Sequence, residues 1–179
     1  LSQMRRLSLK AVILIPALNP DDRLATLVDG LFFVGLTDVI LVDDGSKPEC
    51  KPLFQALQQK GCLLATHAVN LGKGRALKTG MNLFLNAFPG EAGLVTADAD
   101  GQHSVEDIQK ICRALTAHPD ALILGARDFS QENVPFKSRF GNKITRTLFG
   151  YLSGIRLADT QTGLRGIPAS AMPWMMQLK

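Results

Sequence analysis

Five short runs of aliphatic and β-branched residues recur along the first two thirds of the chain, each bounded by polar or turn-forming residues. They are 10–17 (KAVILIPA), 38–43 (DVILVD), 62–67 (CLLATH), 93–97 (GLVTA) and 121–126 (ALILGA). Consecutive apolar positions over so few residues are what a strand buried on both faces of a parallel sheet requires. Between these runs the apolar spacing becomes helical. Leu24, Leu27, Val28 and Leu31 predict a helix over 20–33, with Asn19-Pro20-Asp21-Asp22 offering its cap and first turn. Helices are also expected over 52–60, from Ala76 through Leu77, Met81, Leu83 and Phe84 up to Pro89-Gly90, and over 104–117, where Ser104 and Asp107 come close to a capping box. Strands alternating with helices mean βαβ units with right-handed crossovers, hence an α/β fold with a mostly parallel central sheet and helices on both faces. From Asp128 onward the pattern changes to a polar loop, a basic helical stretch and a Gly-rich tail.

Composition alters this picture little. With 179 residues, 46% hydrophobic and 20% charged, the chain suits a single globular domain rather than a disordered or fibrous one. Cys50, Cys62 and Cys112 are odd in number and lack CxxC or Cys/His spacing, which argues against a disulfide framework and against a zinc site, and for a reducing, cytoplasmic setting. No apolar run approaches the roughly 18–20 residues that span a bilayer. The N-terminus, Leu1-Ser2-Gln3-Met4-Arg5-Arg6, has no apolar stretch or cleavage site behind it, and its start without Met reads as the edge of a longer sequence. The net charge of +4 fits an anionic ligand or surface. No nucleic-acid partner is expected, and the oligomeric state is not encoded in any feature of the chain.

Candidate chemistry concentrates where strands end, the edge at which open α/β sheets bind ligands. The first run is followed by Asn19, the second ends in Asp43 and Asp44, and the third leads to Asn70 and Gly72-Lys73-Gly74-Arg75. The fourth leads to Asp98 and Asp100, the fifth to Arg127 and Asp128. Asp98-Ala99-Asp100-Gly101-Gln102 offers two carboxylates and a neutral oxygen to a hard cation, Mg²⁺ or Mn²⁺, with vacant positions for water or a diphosphate; a solvated turn capping the next helix is the plain alternative. His103 beside it reads as a loop or supporting residue rather than a ligand. The stretch 70–75 (NLGKGR) puts backbone N–H groups and two cations at a helix start, a cradle for phosphate, although it matches neither the Walker pattern nor GxGxxG and Gly72 and Gly74 could equally make a simple turn. Asp43-Asp44-Gly45-Ser46 can likewise be a turn, but doubled acids at a buried strand end call for a cationic or hydrogen-bonding partner such as a nucleobase imide.

Residues 134–158 carry Lys137, Arg139, Lys143, Arg146 and Arg156 and no acid. At 100° per residue Arg139, Lys143 and Arg146 share one face opposite Phe136, Phe140, Ile144, Leu148, Tyr151 and Ile155, which suits either a membrane surface or an ordinary core-facing helix. The tail 159–166 (DTQTGLRG) reads, taken alone, as a loop.

The order IPALN, VDDGS, NLGKGRAL, DADGQH, GARDF, RFGNKITR and DTQTGLRG resembles glycosyltransferase family 2, and within it the polyprenyl-phosphate sugar transferases of the dolichyl-phosphate mannose synthase kind. The resemblance runs from Val12 to about Gly166. It implies the GT-A nucleotide-diphosphosugar fold over a single catalytic domain, 1–179, cut short on its acceptor side. It also implies a transferase that moves a sugar from a UDP- or GDP-linked donor, with inversion, to a polyprenyl phosphate at the cytoplasmic membrane face. On the same ground Pro16, Ala17, Leu18 and Asp44 hold the nucleoside, Lys73, Arg75 and Asp98 belong to the donor site, and Asp98, Asp100 and Gln102 bind divalent Mg or Mn. Arg127 and Arg139 fall near phosphates, and Asp159 with Arg165 at the reaction centre. Where many relatives have Pro-x-Tyr-Asn-Glu, this chain has Pro16-Ala17-Leu18-Asn19-Pro20, without the aromatic and the acid; Asp21 or Asp22 stands near enough to replace the latter. A transferase with a hydroxyl acceptor, and a nucleotide-sugar-binding fragment without turnover, are the competing readings. A haloacid-type phosphatase or a receiver domain would place its acids after the first strand instead.

Overall fold

The computed structural model describes residues 10–125 and 163–178. The elements run β1 (Ala11–Ala17), α1 (Asp22–Phe33), β2 (Val39–Asp43), α2 (Lys51–Lys60), β3 (Leu63–Thr66), α3 (Lys73–Ala87), β4 (Gly93–Thr96), α4 (Val105–Ala117), β5 (Ile123–Leu124), β6 (Arg165–Pro168) and α5 (Met172–Gln177). Alternation along the buried strands sorts the core into two layers. Ile13, Ile15, Val39 and Leu41 face the cluster that holds Leu24, Leu27, Val28 and Leu31 of α1, Phe54 and Leu57 of α2, and Ile108 and Leu115 of α4. Their neighbours Val12, Leu14, Ile40 and Val42 face the other way, onto Ala76, Met81 and Phe84 of α3 and Met172 of α5. Two-sided burial explains why these strands read as unbroken apolar runs.

The sheet order is β3-β2-β1-β4-β6-β5. Strands β1 to β4 pair in parallel, whereas β6 runs antiparallel to both β4 and β5. Successive connections leave β1 in opposite directions, toward β2 and β3 on one side and β4 on the other, so the crevice at the carboxyl ends of β1 and β4 is the topological switch point where such sheets bind ligands. Pairing of β1 with β4 stops at Leu14 and Thr96 while β1 continues to Ala17 beside β2. Pro16 therefore lies beyond that ladder, where its missing N–H leaves no bond unmade.

Three sequence expectations need correction. The tail 159–166, read as a loop, contributes a strand: Arg165 opens β6, which inserts between β4 and β5 with Arg165 opposite Thr96 and Leu124. Local composition could not reveal this, because its ladder partners lie about 70 positions earlier in β4 and about 40 earlier in β5. The expected fifth strand, 121–126, shortens to Ile123–Leu124 and does not touch β4. Asn19 does not cap α1. Asp21 does, accepting from Arg23 N at 3.0 Å, while Asn19 takes a left-handed conformation at φ 50°. The basic segment 134–158 lies outside the described residues. All three cysteines are free thiols, and burial pushes Cys62 and Cys112 up to about 11, so neither is a thiolate at neutral pH. Among the described residues no helix is long and apolar enough to cross a membrane.

Candidate active site

The turn after β2 ties three strand ends together. Asp43 Oδ1 accepts from Ser46 N at 2.8 Å, closing the Asp-Asp-Gly-Ser turn. Asn19, just past β1, donates its N–H to Ser46 Oγ at 2.9 Å and accepts from Lys47 N at 2.8 Å. Its left-handed backbone aims the side chain at the turn, a role for which Asn is among the few suitable residues.

Asp44 is buried, and most of its acceptor capacity is taken by His67 and the next loop. Its Oδ1 accepts from His67 Nδ1 at 2.7 Å and Leu71 N at 2.9 Å, and its Oδ2 accepts from Gly72 N at 2.9 Å. Burial by itself would raise the Asp44 pKa, but His67 and the two backbone N–H groups outweigh it and hold the carboxyl below its ordinary value. Of about four acceptor positions on a carboxylate, three are taken by the protein. The sequence reading gave Asp44 to a nucleobase; in the structure its main partners are the loop 70–72 and His67, with one position on Oδ2 remaining.

That loop opens α3. Gly72 is the cap, its carbonyl accepts from Arg75 N and Ala76 N, and Asn70 Oδ1 accepts from Gly72 N at 2.9 Å. The backbone N–H groups of Lys73 and Gly74 point out of the first turn, where no helix residue can accept from them. Lys73 reaches across to β4's end, its Nζ standing 2.5 Å from Asp98 Oδ1.

Three segments meet on Asp98. His103 Nε2, in a side chain only 5% exposed, lies 3.5 Å from Oδ2 and finds no hydrogen-bond partner among the described residues. The His103 ring and the Lys73 ammonium bring the Asp98 carboxyl down to about 2 against the opposing effect of partial burial. The ring is a long contact and the ammonium a close one, so we regard Lys73 as the firmer partner. Gly163 completes the arrangement: a Cβ built there would fall 2.0 Å from Asp98 Oδ2. Thr96 fixes that approach, its hydroxyl donating to the Gly163 carbonyl at 2.7 Å. Gly163→Ala is accordingly expected to force the carboxylate off its position. Crystallography or NMR of the variant should show Asp98 displaced; an unmoved carboxylate would contradict the contact.

Asp100 accepts from Gln102 N at 3.0 Å and Gln102 Nε2 at 2.6 Å. Gln102 thus turns its amide toward Asp100, although nitrogen and oxygen of such an amide exchange by rotation. Among the described residues no three His, Cys, Asp or Glu side chains are grouped to hold a metal. Of the remaining expected site residues, Ala17 is buried, Pro16 half-buried and Leu18 exposed at the edge, Arg75 is exposed on α3, and Arg165 sits at the start of β6 beside Thr96. Arg127, Arg139 and Asp159 lie outside the described residues. Sequence reading missed His67, Thr96 and Gly163, although the spacing of His67 just past a strand was visible.

A family model described as Glycosyl transferase family 2 matches residues 12–172. The chain belongs to that family. A UDP-N-acetylglucosamine–dolichyl-phosphate N-acetylglucosaminyltransferase of Methanococcus voltae is 28% identical over 178 residues, spanning 89% of this chain and 70% of the relative. An uncharacterised protein of Methanocaldococcus jannaschii is 27% identical over 162 residues, covering 89% of this chain; the chain spans 65% of that relative's length. Glucosyl-3-phosphoglycerate synthase of Mycobacterium tuberculosis, solved with Mn²⁺ and UDP-glucose, superposes with a TM-score of 0.66 at 18% identity, covering 90% of this chain and 57% of that one. This family 2 glycosyltransferase domain therefore has the expected GT-A fold, with its antiparallel β6 set into the sheet.

Proposed function

We propose that this family 2 domain transfers a sugar from a UDP- or GDP-linked donor to a lipid phosphate, assisted by a divalent metal. The observation that carries the reading is the meeting of Lys73, from the phosphate-type loop, with Asp98, from the acidic motif, at the switch point. The nucleoside would lie against Pro16, Ala17 and Leu18, its imide meeting the remaining Oδ2 position of Asp44. The diphosphate would lie over the N–H groups of Lys73 and Gly74 with the Lys73 and Arg75 cations.

The donor set suits a hard cation. Asp98 stays ionised at any physiological pH, already draws a cation in Lys73, and with Asp100 and Gln102 offers the few protein ligands that Mg²⁺ or Mn²⁺ takes when phosphates complete the shell. When bound, the metal would neutralise charge developing on the leaving diphosphate. Lys73, Arg75 and, following the family resemblance, Arg127 and Arg139 add fixed positive charge to the same end. A phosphate acceptor, with a second pKa of about 6, is largely dianionic at neutral pH and needs no general base. Asp159 would then orient Arg165 rather than take a proton. The lipid acceptor is supported by the Methanococcus voltae relative's named activity on dolichyl phosphate. The acceptor phosphate would place the working domain at a membrane face.

Melting the protein with UDP or GDP, each with and without Mn²⁺, tests the donor half. At a hundredfold excess over Kd one nucleotide should stabilise the fold by about 2.7 kcal/mol, and more with metal than without. No shift with either nucleotide, with or without Mn²⁺, would sink the assignment.

A further inference from the structure

We propose that His67 is a positioning residue for the donor phosphates, acting through Asp44 on the loop 70–74. The inference rests on the donor reading above and adds a residue that reading does not use. His67 follows β3, and its side chain is only 10% exposed. Both ring nitrogens are engaged: Nδ1 lies 2.7 Å from Asp44 Oδ1 and Nε2 lies 2.9 Å from Thr79 Oγ1. An ionised carboxylate can only accept, so Nδ1 carries the proton. In the neutral ring Nε2 is then the acceptor, and the Thr79 hydroxyl donates to it.

A continuous chain of bonds results. It runs from Thr79 in α3 through the imidazole to Asp44 at the end of β2, and from Asp44 to the N–H groups of Leu71 and Gly72 immediately before α3 begins. The ring therefore ties the body of α3 to the same carboxylate that holds the turn leading into it. Residues 73 and 74, whose N–H groups would face phosphate, follow directly. The two backbone N–H groups hold one carboxylate oxygen each, and the imidazole adds a third bond, on Oδ1, that comes from outside the loop and anchors the carboxylate to Thr79 of α3. A side chain that only fills space would give the same packing without that restraint.

The comparison uses wild type, His67→Leu, His67→Asn and Thr79→Val, with UDP and UMP titrated in the presence of Mn²⁺ and amide exchange followed at Leu71 and Gly72. GDP and GMP replace the uridine pair if the protein prefers guanine. His67→Leu should weaken diphosphate binding roughly tenfold to a hundredfold, the scale of a small misplacement at a working site. The monophosphate should lose less, and exchange at the two amides should accelerate while β1 and α4 are unaffected. His67→Asn, whose amide N–H replaces Nδ1–H, should recover most of the affinity, and Thr79→Val should fall between. Equal diphosphate affinity in wild type and His67→Leu would overturn the proposal. So would equal losses for mono- and diphosphate. If His67→Leu does not fold, unchanged diphosphate binding in both His67→Asn and Thr79→Val, without faster exchange in the latter, overturns it. A wild type that binds neither nucleotide fails the donor reading itself, a different result from binding that ignores His67.

Discussion

Asp98→Asn is expected to weaken nucleoside diphosphate binding in the presence of Mn²⁺ by on the order of a hundredfold or more, given that residues merely supporting a metal ligand cost tenfold to a hundredfold. The side chain sits where Lys73, His103 and Gly163 converge. Asparagine keeps its size but removes the charge that would hold a cation, so the loss belongs to binding and not to shape. Isothermal titration of both proteins with UDP or GDP and Mn²⁺ reads it, and equal affinities would remove Asp98 from the site. The same substitution has a signature in acid. The Asp98 carboxyl falls from 3.8 to about 2 on folding, so it stabilises the fold above the unfolded value, and that contribution disappears as the pH falls through the folded one. Its size is about 2 kcal/mol. Wild type should therefore lose stability more steeply than Asp98→Asn between pH 4 and pH 2, with the two curves parallel at neutral pH. Parallel curves throughout would show that the ion pair with Lys73 contributes nothing.

Gly45→Ala should be the most damaging single methyl near the site. Gly45 has φ of +74°, and a Cβ there would fall 2.2 Å from the Val69 carbonyl carbon and 2.4 Å from Asn70 N. Those are backbone atoms, which cannot swing aside as a side chain would. The chain end of β2 and the approach to the phosphate-type loop must separate, and Asp44 would lose its register with Leu71 and Gly72. Strain at positive φ together with overpacking should cost roughly 3 kcal/mol or more. For a domain of this size that is a fall in Tm of roughly 6–12 °C. Differential scanning calorimetry measures it. A variant melting within a degree of wild type would mean that the loop yields, and donor binding should then also survive.

Much of this architecture was open to reading along the chain, because it rests on local patterns. Runs such as 10–17 and 38–43 are apolar on consecutive positions, and only a two-sided core asks for that. Ser104 and Asp107 meet as a cap because a helix start needs side-chain acceptors within three residues. The acids and amides at the strand ends were equally legible, since a parallel sheet delivers all its strand ends to one edge. That edge, the family and the GT-A fold follow from the order of residues alone. What tertiary structure decided is which protein groups each of those polar side chains meets. Asp43 and Asp44 are identical neighbours in sequence; one closes its own turn, and the other holds a loop 27 and 28 residues away through His67 and two N–H groups. The segment that reads as a loop before Pro168 becomes β6 because its partners are supplied by β4 and β5, and Gly163 matters because its missing side chain leaves room for Asp98. Local periodicity encodes the elements, while partners distant in sequence, found only when the chain is folded, determine the work each charged group does.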